Sequence, residues 1–312
     1  MERNKEKITS ILNALNQVIV GKEEVLELSL AAFLAGGHIL LEDIPGVGKT
    51  TLAKSISSAI GCSFGRIQFT PDTLPGDVMG YSVFNPQKGC FEFNHGVIMN
   101  QVILADEINR TSPKTQSSLL EAMEEGQVTV DGKTYQLPEP FLVIATQNPS
   151  DFLGTYHLPE AQLDRFIMKL SLGYPKREQE QSMIDKFLHE KSWKTIEKCA
   201  SAEDMKAIRN AVHEVTIHKD LIQYLLDIVE ATRNHNYITL GISPRGTLAA
   251  IRASQAMAFV RGRNFVIPDD IVHILVPVFA HRLMLSTEAK IKKQTGEKVI
   301  LAIKNQMKVP II

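Results

Sequence analysis

Four short apolar runs punctuate the first half of the chain: Gly37 to Leu41, Ser63 to Phe69, Val102 to Ala105 and Phe141 to Thr146. They are short and largely apolar, and with helices between them they imply a parallel sheet covered on both faces. The segments between them carry helical spacing, predicting helices over Glu23 to Ala35, Lys49 to Ala59 and Thr115 to Glu124. Around the second, Leu52, Ile56, Ala59 and Ile60 fall on one side. Strands alternating with helices imply an α/β unit with right-handed crossovers, and ligand binding outside the carboxyl ends of the strands.

Two insertions interrupt this rhythm. The first, Pro71 to Gly96, is rich in Gly, Pro, Asn and aromatic residues and reads as a long loop, a class more often functional than idle. In the second, Gly126 to Leu137, alternating residues flank Asp131-Gly132, a strong hairpin signal. After Leu172-Gly173-Tyr174-Pro175 the strand signals nearly vanish. Helices are expected over Arg177 to Glu190, Ala202 to Glu214, Lys219 to Asn234, Pro244 to Arg261 and Pro268 to Leu285. Pro244 and Pro268 suit first helical positions, Ser243 is a natural cap, and Pro277 should kink the last helix. The remainder, Leu285 to Ile312, reads as a tail that packs back.

Length and charge narrow the picture. The 312 residues suggest two domains, placed at 1–174 and 175–312. The net charge of −1 gives no general pull toward nucleic acid or an anionic membrane. No apolar run approaches the roughly 20 residues a bilayer requires, and the charged start shows no secretory leader. Cys62, Cys90 and Cys199 are odd in number and widely spaced, which argues against a disulfide frame or zinc site and for a cytoplasmic protein.

The chemistry begins at Ile44-Pro45-Gly46-Val47-Gly48-Lys49-Thr50, between a strand and a helix. Backbone amides from Gly46 to Thr50 at a helix start form an anion cradle. Lys49 adds a mobile charge, and the Thr50 hydroxyl can ligate Mg²⁺, with Thr51 following. The full phosphate-loop motif has Gly seven positions before Thr50, where this chain has Asp43, a residue that tolerates turn geometry.

Further candidates sit at predicted strand ends. Asp106 can hold Mg²⁺, and Glu107 can polarise an attacking water as general base. Asn148, held out of helix by Pro149, either orients that water or closes an Asx turn. Arg165 either pairs locally with Asp164 or Glu160, or reaches a neighbouring subunit's nucleotide in a ring. Arg245, a cation at a helix start, is either a surface arginine or a reporter of phosphate state to the helical domain. Val20-Gly21 is either a helix–helix turn or an adenine clasp.

Taken in order, Val20-Gly21, Pro45 to Thr50, Asp106 to Arg110, Thr146 to Pro149, Glu160 to Phe166 and Ser243 to Arg245 resemble the MoxR family of AAA+ ATPases over nearly the whole chain. Phe69 to Val78 and Leu119 to Val128 resemble that family's own signatures. The resemblance implies a P-loop AAA+ core, with its parallel sheet covered by helices, followed by an all-α lid. The first insertion would hold the helix-2 insert and the second the pre-sensor hairpin. ATP and Mg²⁺ would be the cofactors, Glu107 the catalytic acid, Asn148 sensor 1, Arg165 the arginine finger and Arg245 sensor 2. Hexameric rings that remodel or activate client proteins, often ones with a von Willebrand factor A domain, are implied too. The chain departs from the pattern at Asp43, and at Lys22, where Gln is more usual. A nucleic-acid motor of a related branch and a nucleotide-gated scaffold are the competing readings. Near-neutral charge and the absence of a DNA-binding module weigh against the first, and the intact acid pair against the second.

Overall fold

The computed structural model describes residues 2–148, 155–189 and 196–310. Pro149 and Glu190, each part of an expectation above, lie outside them. Five parallel strands form the central sheet: β1 Ile39–Glu42, β2 Phe64–Gln68, β3 Val102–Asp106, β4 Leu142–Gln147 and β5 Met168–Leu170. Their spatial order is β2-β3-β4-β1-β5. Four of the five are the predicted runs, shifted by a residue or two. β5 was not anticipated, because three residues carry too little pattern.

Three of the four predicted runs are covered on both faces, whereas the edge strand β2 is partly exposed. Ile39, Leu41, Val102, Leu104, Leu142 and Ile144 face one side of the sheet, and Leu40, Ile103, Ala105, Val143 and Ala145 face the other. All of these are fully buried. The first face packs on an apolar cluster that continues into the helical half through Met205, Ile208, Leu225 and Phe279. The two halves of the chain therefore share one core instead of holding one each.

The helical half contains Arg177–His189, Ala202–His213, Lys219–Arg233, Pro244–Val260, Pro268–Phe279 and Gly296–Gln306. Ser243 caps the fourth, its hydroxyl accepting the Gly246 N–H at 3.1 Å. The helix expected to run to Leu285 stops at Phe279, two residues past Pro277, and a 3₁₀ turn Ala280–Arg282 follows. Proline removes a backbone donor and crowds the preceding turn, so the helix ends soon after it. The tail packs back as expected, burying Val299, Ile300 and Ile303. A small two-stranded pairing, Ile238–Leu240 with Met284–Leu285, adds strand structure the pattern missed.

The first insertion is not a loop. It holds a short helix, Pro75–Met79, and an antiparallel hairpin, Gly80–Asn85 with Cys90–His95. Tyr81, Val83, Phe84 and Phe91 are exposed, and the hairpin buries no full face, which is why no clean alternation marked it. The second insertion is the expected hairpin, Gln127–Val130 with Lys133–Gln136. Asp131 and Gly132 both take positive φ, as a tight primed turn requires. Phe93 of one hairpin stacks on Tyr135 of the other at 4.1 Å.

Candidate functional site

The phosphate loop follows β1 as expected. Gly46 and Gly48 hold φ of +86° and +98°, and a Cβ at either would meet nothing within 4 Å. Their open sides face a space a ligand can fill. A cavity of about 440 Å³ lies there, lined by Val18 to Val20, Pro45 to Gly48, Thr51 and Leu172 to Pro175. Val20 thus borders the cavity. Gly21 forms the positive-φ turn behind it, its carbonyl accepting from Gln179 Nε2 at 3.2 Å. The helix–helix turn is therefore formed, with Val20 on its cavity side. Lys49 Nζ donates to the Asp43 carbonyl at 2.8 Å. Thr50, beside it, lies in the first turn of the helix Lys49–Ala59.

The sheet order explains where the acids stand. β4 separates the loop-bearing β1 from the acid-bearing β3, so the end of β4 lies between loop and acids. Asn148 follows it and is buried. Thr146, on β4, ties the acids together. Its hydroxyl accepts the Glu107 N–H at 2.8 Å and donates to Asp106 Oδ1 at 2.7 Å. Asp106 Oδ2 also accepts from Arg66 of β2 at 2.8 Å, and Glu107 Oε2 from Arg110 at 2.9 Å. Glu107 takes φ of +57°, a strained value for a residue with a side chain, of the kind concentrated at functional sites. The sequence reading assigned no role to Thr146, Arg66 or Arg110. Thr146 and Arg66 meet their partners only through the sheet order, whereas Arg110 pairs with Glu107 three residues away.

These residues fit a nucleoside triphosphate with its magnesium. The open glycine cradle, a lysine resting on a mere carbonyl, and a single strand-end aspartate beside a threonine match a cation that keeps much of its water shell. Among the described residues no cluster of three or more His, Cys, Asp or Glu side chains is placed to hold a metal ion.

The two arginines are elsewhere. Arg165 and Arg245 line a second cavity of about 500 Å³ with Gly36, Gly37 and Glu124. Gly36 and Gly37 precede β1, whereas the phosphate loop follows it. The four residues of β1 separate the two places by roughly 13 Å of strand. Both guanidinium groups reach the same carboxylate: Arg165 lies 3.1 Å from Glu124 Oε2, and Arg245 bonds Glu124 Oε1. Arg165 also donates to the Leu120 carbonyl at 2.6 Å, and its Nε is buried without a partner among the described residues. The local pairing of Arg165 with Asp164 does not form. Asp164 instead takes Arg282 at 2.6 Å. Sequence reasoning missed Glu124, which stands 121 residues from Arg245 in the chain.

Two buried histidines brace this end. His38 Nε2 donates to the Met123 carbonyl and its Nδ1 accepts the Val143 N–H, both at 3.1 Å. Burial, reinforced by the nearby Arg209, pulls its pKa down to about 4. His281, bonded to the Phe166 carbonyl at 3.0 Å, is pushed well below the ordinary value by burial and by adjacent Arg282.

Comparison with known proteins bears on the fold as a whole. Residues 38–168 match the profile described as ATPase family associated with various cellular activities (AAA), and residues 230–303 match the AAA lid domain. Chaperone MoxR1 of Mycobacterium tuberculosis is 36% identical over 95% of this chain and 80% of its own. The uncharacterized protein YeaC of Bacillus subtilis is 50% identical over 95% of this chain and 93% of its own. A crystal structure from Cytophaga hutchinsonii superposes with a TM-score of 0.92 at 37% identity, covering 99% of this chain and 96% of the other.

Proposed function

This chain belongs to the MoxR family of AAA+ ATPases, and from that premise we propose that it binds Mg²⁺-ATP at the phosphate-loop end and hydrolyses it between neighbouring copies in a hexameric ring. The observation that carries this reading is the separation of Arg165 and Arg245 from their own phosphate loop. A site whose arginines stand at the other end of the sheet is completed by a second copy presenting that end.

In this reading Gly46 to Thr50 cradle the phosphates and Val20-Gly21 the base. Thr50 and Asp106 would hold the magnesium, which supplies neutralisation of phosphate charge. Glu107 releases Arg110 and accepts a proton from the attacking water, while Asn148 orients that water. Arg165 and Arg245 exchange Glu124 for the neighbour's phosphate oxygens, so that product release moves the lid against the core. The mechanical output is remodelling or activation of a protein client, a von Willebrand factor A domain protein being the class implied by family resemblance. The three unpaired cysteines fit a cytoplasmic setting.

A mixing experiment tests the shared site. Arg165→Ala and Lys49→Ala subunits are each expected to be inactive as pure assemblies. Mixed in equal amounts, they should regain turnover at about a quarter of interfaces, where an intact loop meets an intact arginine. Full turnover by pure Arg165→Ala rings would show that the arginine does not act across the interface.

A further inference from the structure

Asp43 stands where the phosphate-loop motif has glycine, and its carboxylate is buried. It accepts the Ser171 hydroxyl at 2.8 Å, the Leu172 N–H at 2.6 Å and the Gly173 N–H at 3.0 Å. Those donors open the segment that joins β5 to the helix Arg177–His189, where the sheet half passes into the helical half, and this segment is taken as the hinge in the proposal below. The other departure from the family pattern reaches the same segment: Lys22 Nζ donates to the Tyr174 carbonyl at 3.0 Å. Residues 171–174 are thus held by an acid on the phosphate loop and by a base on the turn beside the base-binding cavity. Leu172 to Tyr174 line that cavity as well.

We propose that Asp43, supported by Lys22, is a positioning residue that couples the phosphate loop to the lid. The inference rests on the ATPase reading above. The same residue joins both ends of the coupling. Its carbonyl holds Lys49, the side chain that phosphates recruit, and its carboxylate holds the hinge. Lys49 leaving that carbonyl for phosphate frees the loop backbone to shift. A buried carboxylate cannot give up three donors without replacement, so the hinge follows the loop. A glycine in this position would complete the phosphate loop and leave the hinge untethered.

The test uses full-length Asp43→Asn, Asp43→Gly and Lys22→Met. Three readouts are taken: Mg²⁺-ATP affinity by calorimetry, steady-state ATPase kinetics, and amide hydrogen exchange at Leu172 and Gly173 without nucleotide. Asp43→Asn keeps the shape but turns an NH₂ toward backbone donors. It should retain ATP affinity within about threefold while kcat falls about tenfold or more, with hinge amides exchanging about tenfold faster. Asp43→Gly should behave alike despite restoring the motif, and Lys22→Met should show the same signature at about two- to threefold. Wild-type kcat in Asp43→Gly overturns the proposal, as does faster hinge exchange with kcat unchanged. Loss of ATP affinity in step with kcat also overturns it, because Asp43 would then serve the loop alone. If Asp43 variants fail to fold, Lys22→Met decides by the same split. Wild-type protein that binds no Mg²⁺-ATP brings down the ATPase reading itself, a result separable from all of these.

Discussion

The two ends of the central sheet are built on opposite plans. At the carboxyl end, an open glycine cradle, a lysine resting on a carbonyl and a strained Glu107 leave room and charge for a ligand. At the amino end, Arg165 and Arg245 are both paired with Glu124. The first end is open and lined by backbone turns, and the second is a pair of cations held by one carboxylate. Under the proposed reaction the groups phosphoryl transfer requires are divided between the two ends, and a second copy would bring them together.

Predictions follow that divide. Arg165→Ala should lower turnover about 10³–10⁵-fold with ATP affinity little changed, the signature of a group used only in the transition state. Stopped-assay kinetics on assembled protein check this, and parallel loss of affinity would place Arg165 in ground-state binding. At the other end, Glu107→Gln should lower turnover by about 10²–10⁴ and keep Mg²⁺-ATP bound. Phosphate release at saturating ATP measures it, and near-normal rates would remove Glu107 from the chemistry.

Stability of the amino end should depend on acid. The folded pKa of His38 is about 4, below its unfolded value near 6.5, so the unfolded chain binds the extra proton between the two. The contribution is fully present above pH 6.5 and is lost as pH falls toward 4, by roughly 3 kcal/mol for this one group. His281 shifts in the same direction. Urea midpoints at pH 7 and pH 5, for wild type and His38→Gln, should show the slope flatten in the variant. An unchanged slope would assign acid sensitivity elsewhere.

The smallest effect is expected at Glu124. Removing its charge by Glu124→Gln leaves both arginines short of an anion and should lower the protein concentration needed for ATP-dependent assembly by about two- to fivefold, since exposed pairs contribute little. Sedimentation at graded concentrations would detect it. Weaker assembly would mean that Glu124 orients the arginines instead of competing for them.

What could be read from sequence was whatever is contiguous. The phosphate loop, the strands ending in Asp106 and Asn148, the Asp131-Gly132 turn and the Ser243 cap are each specified within about ten residues, where period, turn chemistry and motif act together. Three-residue β5 and a hairpin exposed on both faces left no such trace. Asp43 looked like a tolerated substitution because its partners lie about 130 residues away. Arg245 was legible only as a cation at a helix start, because the carboxylate that holds it lies 121 residues away in the chain. Local order follows from backbone preference and apolar spacing. Which charge meets which depends on how strands stack and where the lid docks, and those long-range contacts exist only after the chain has closed on itself.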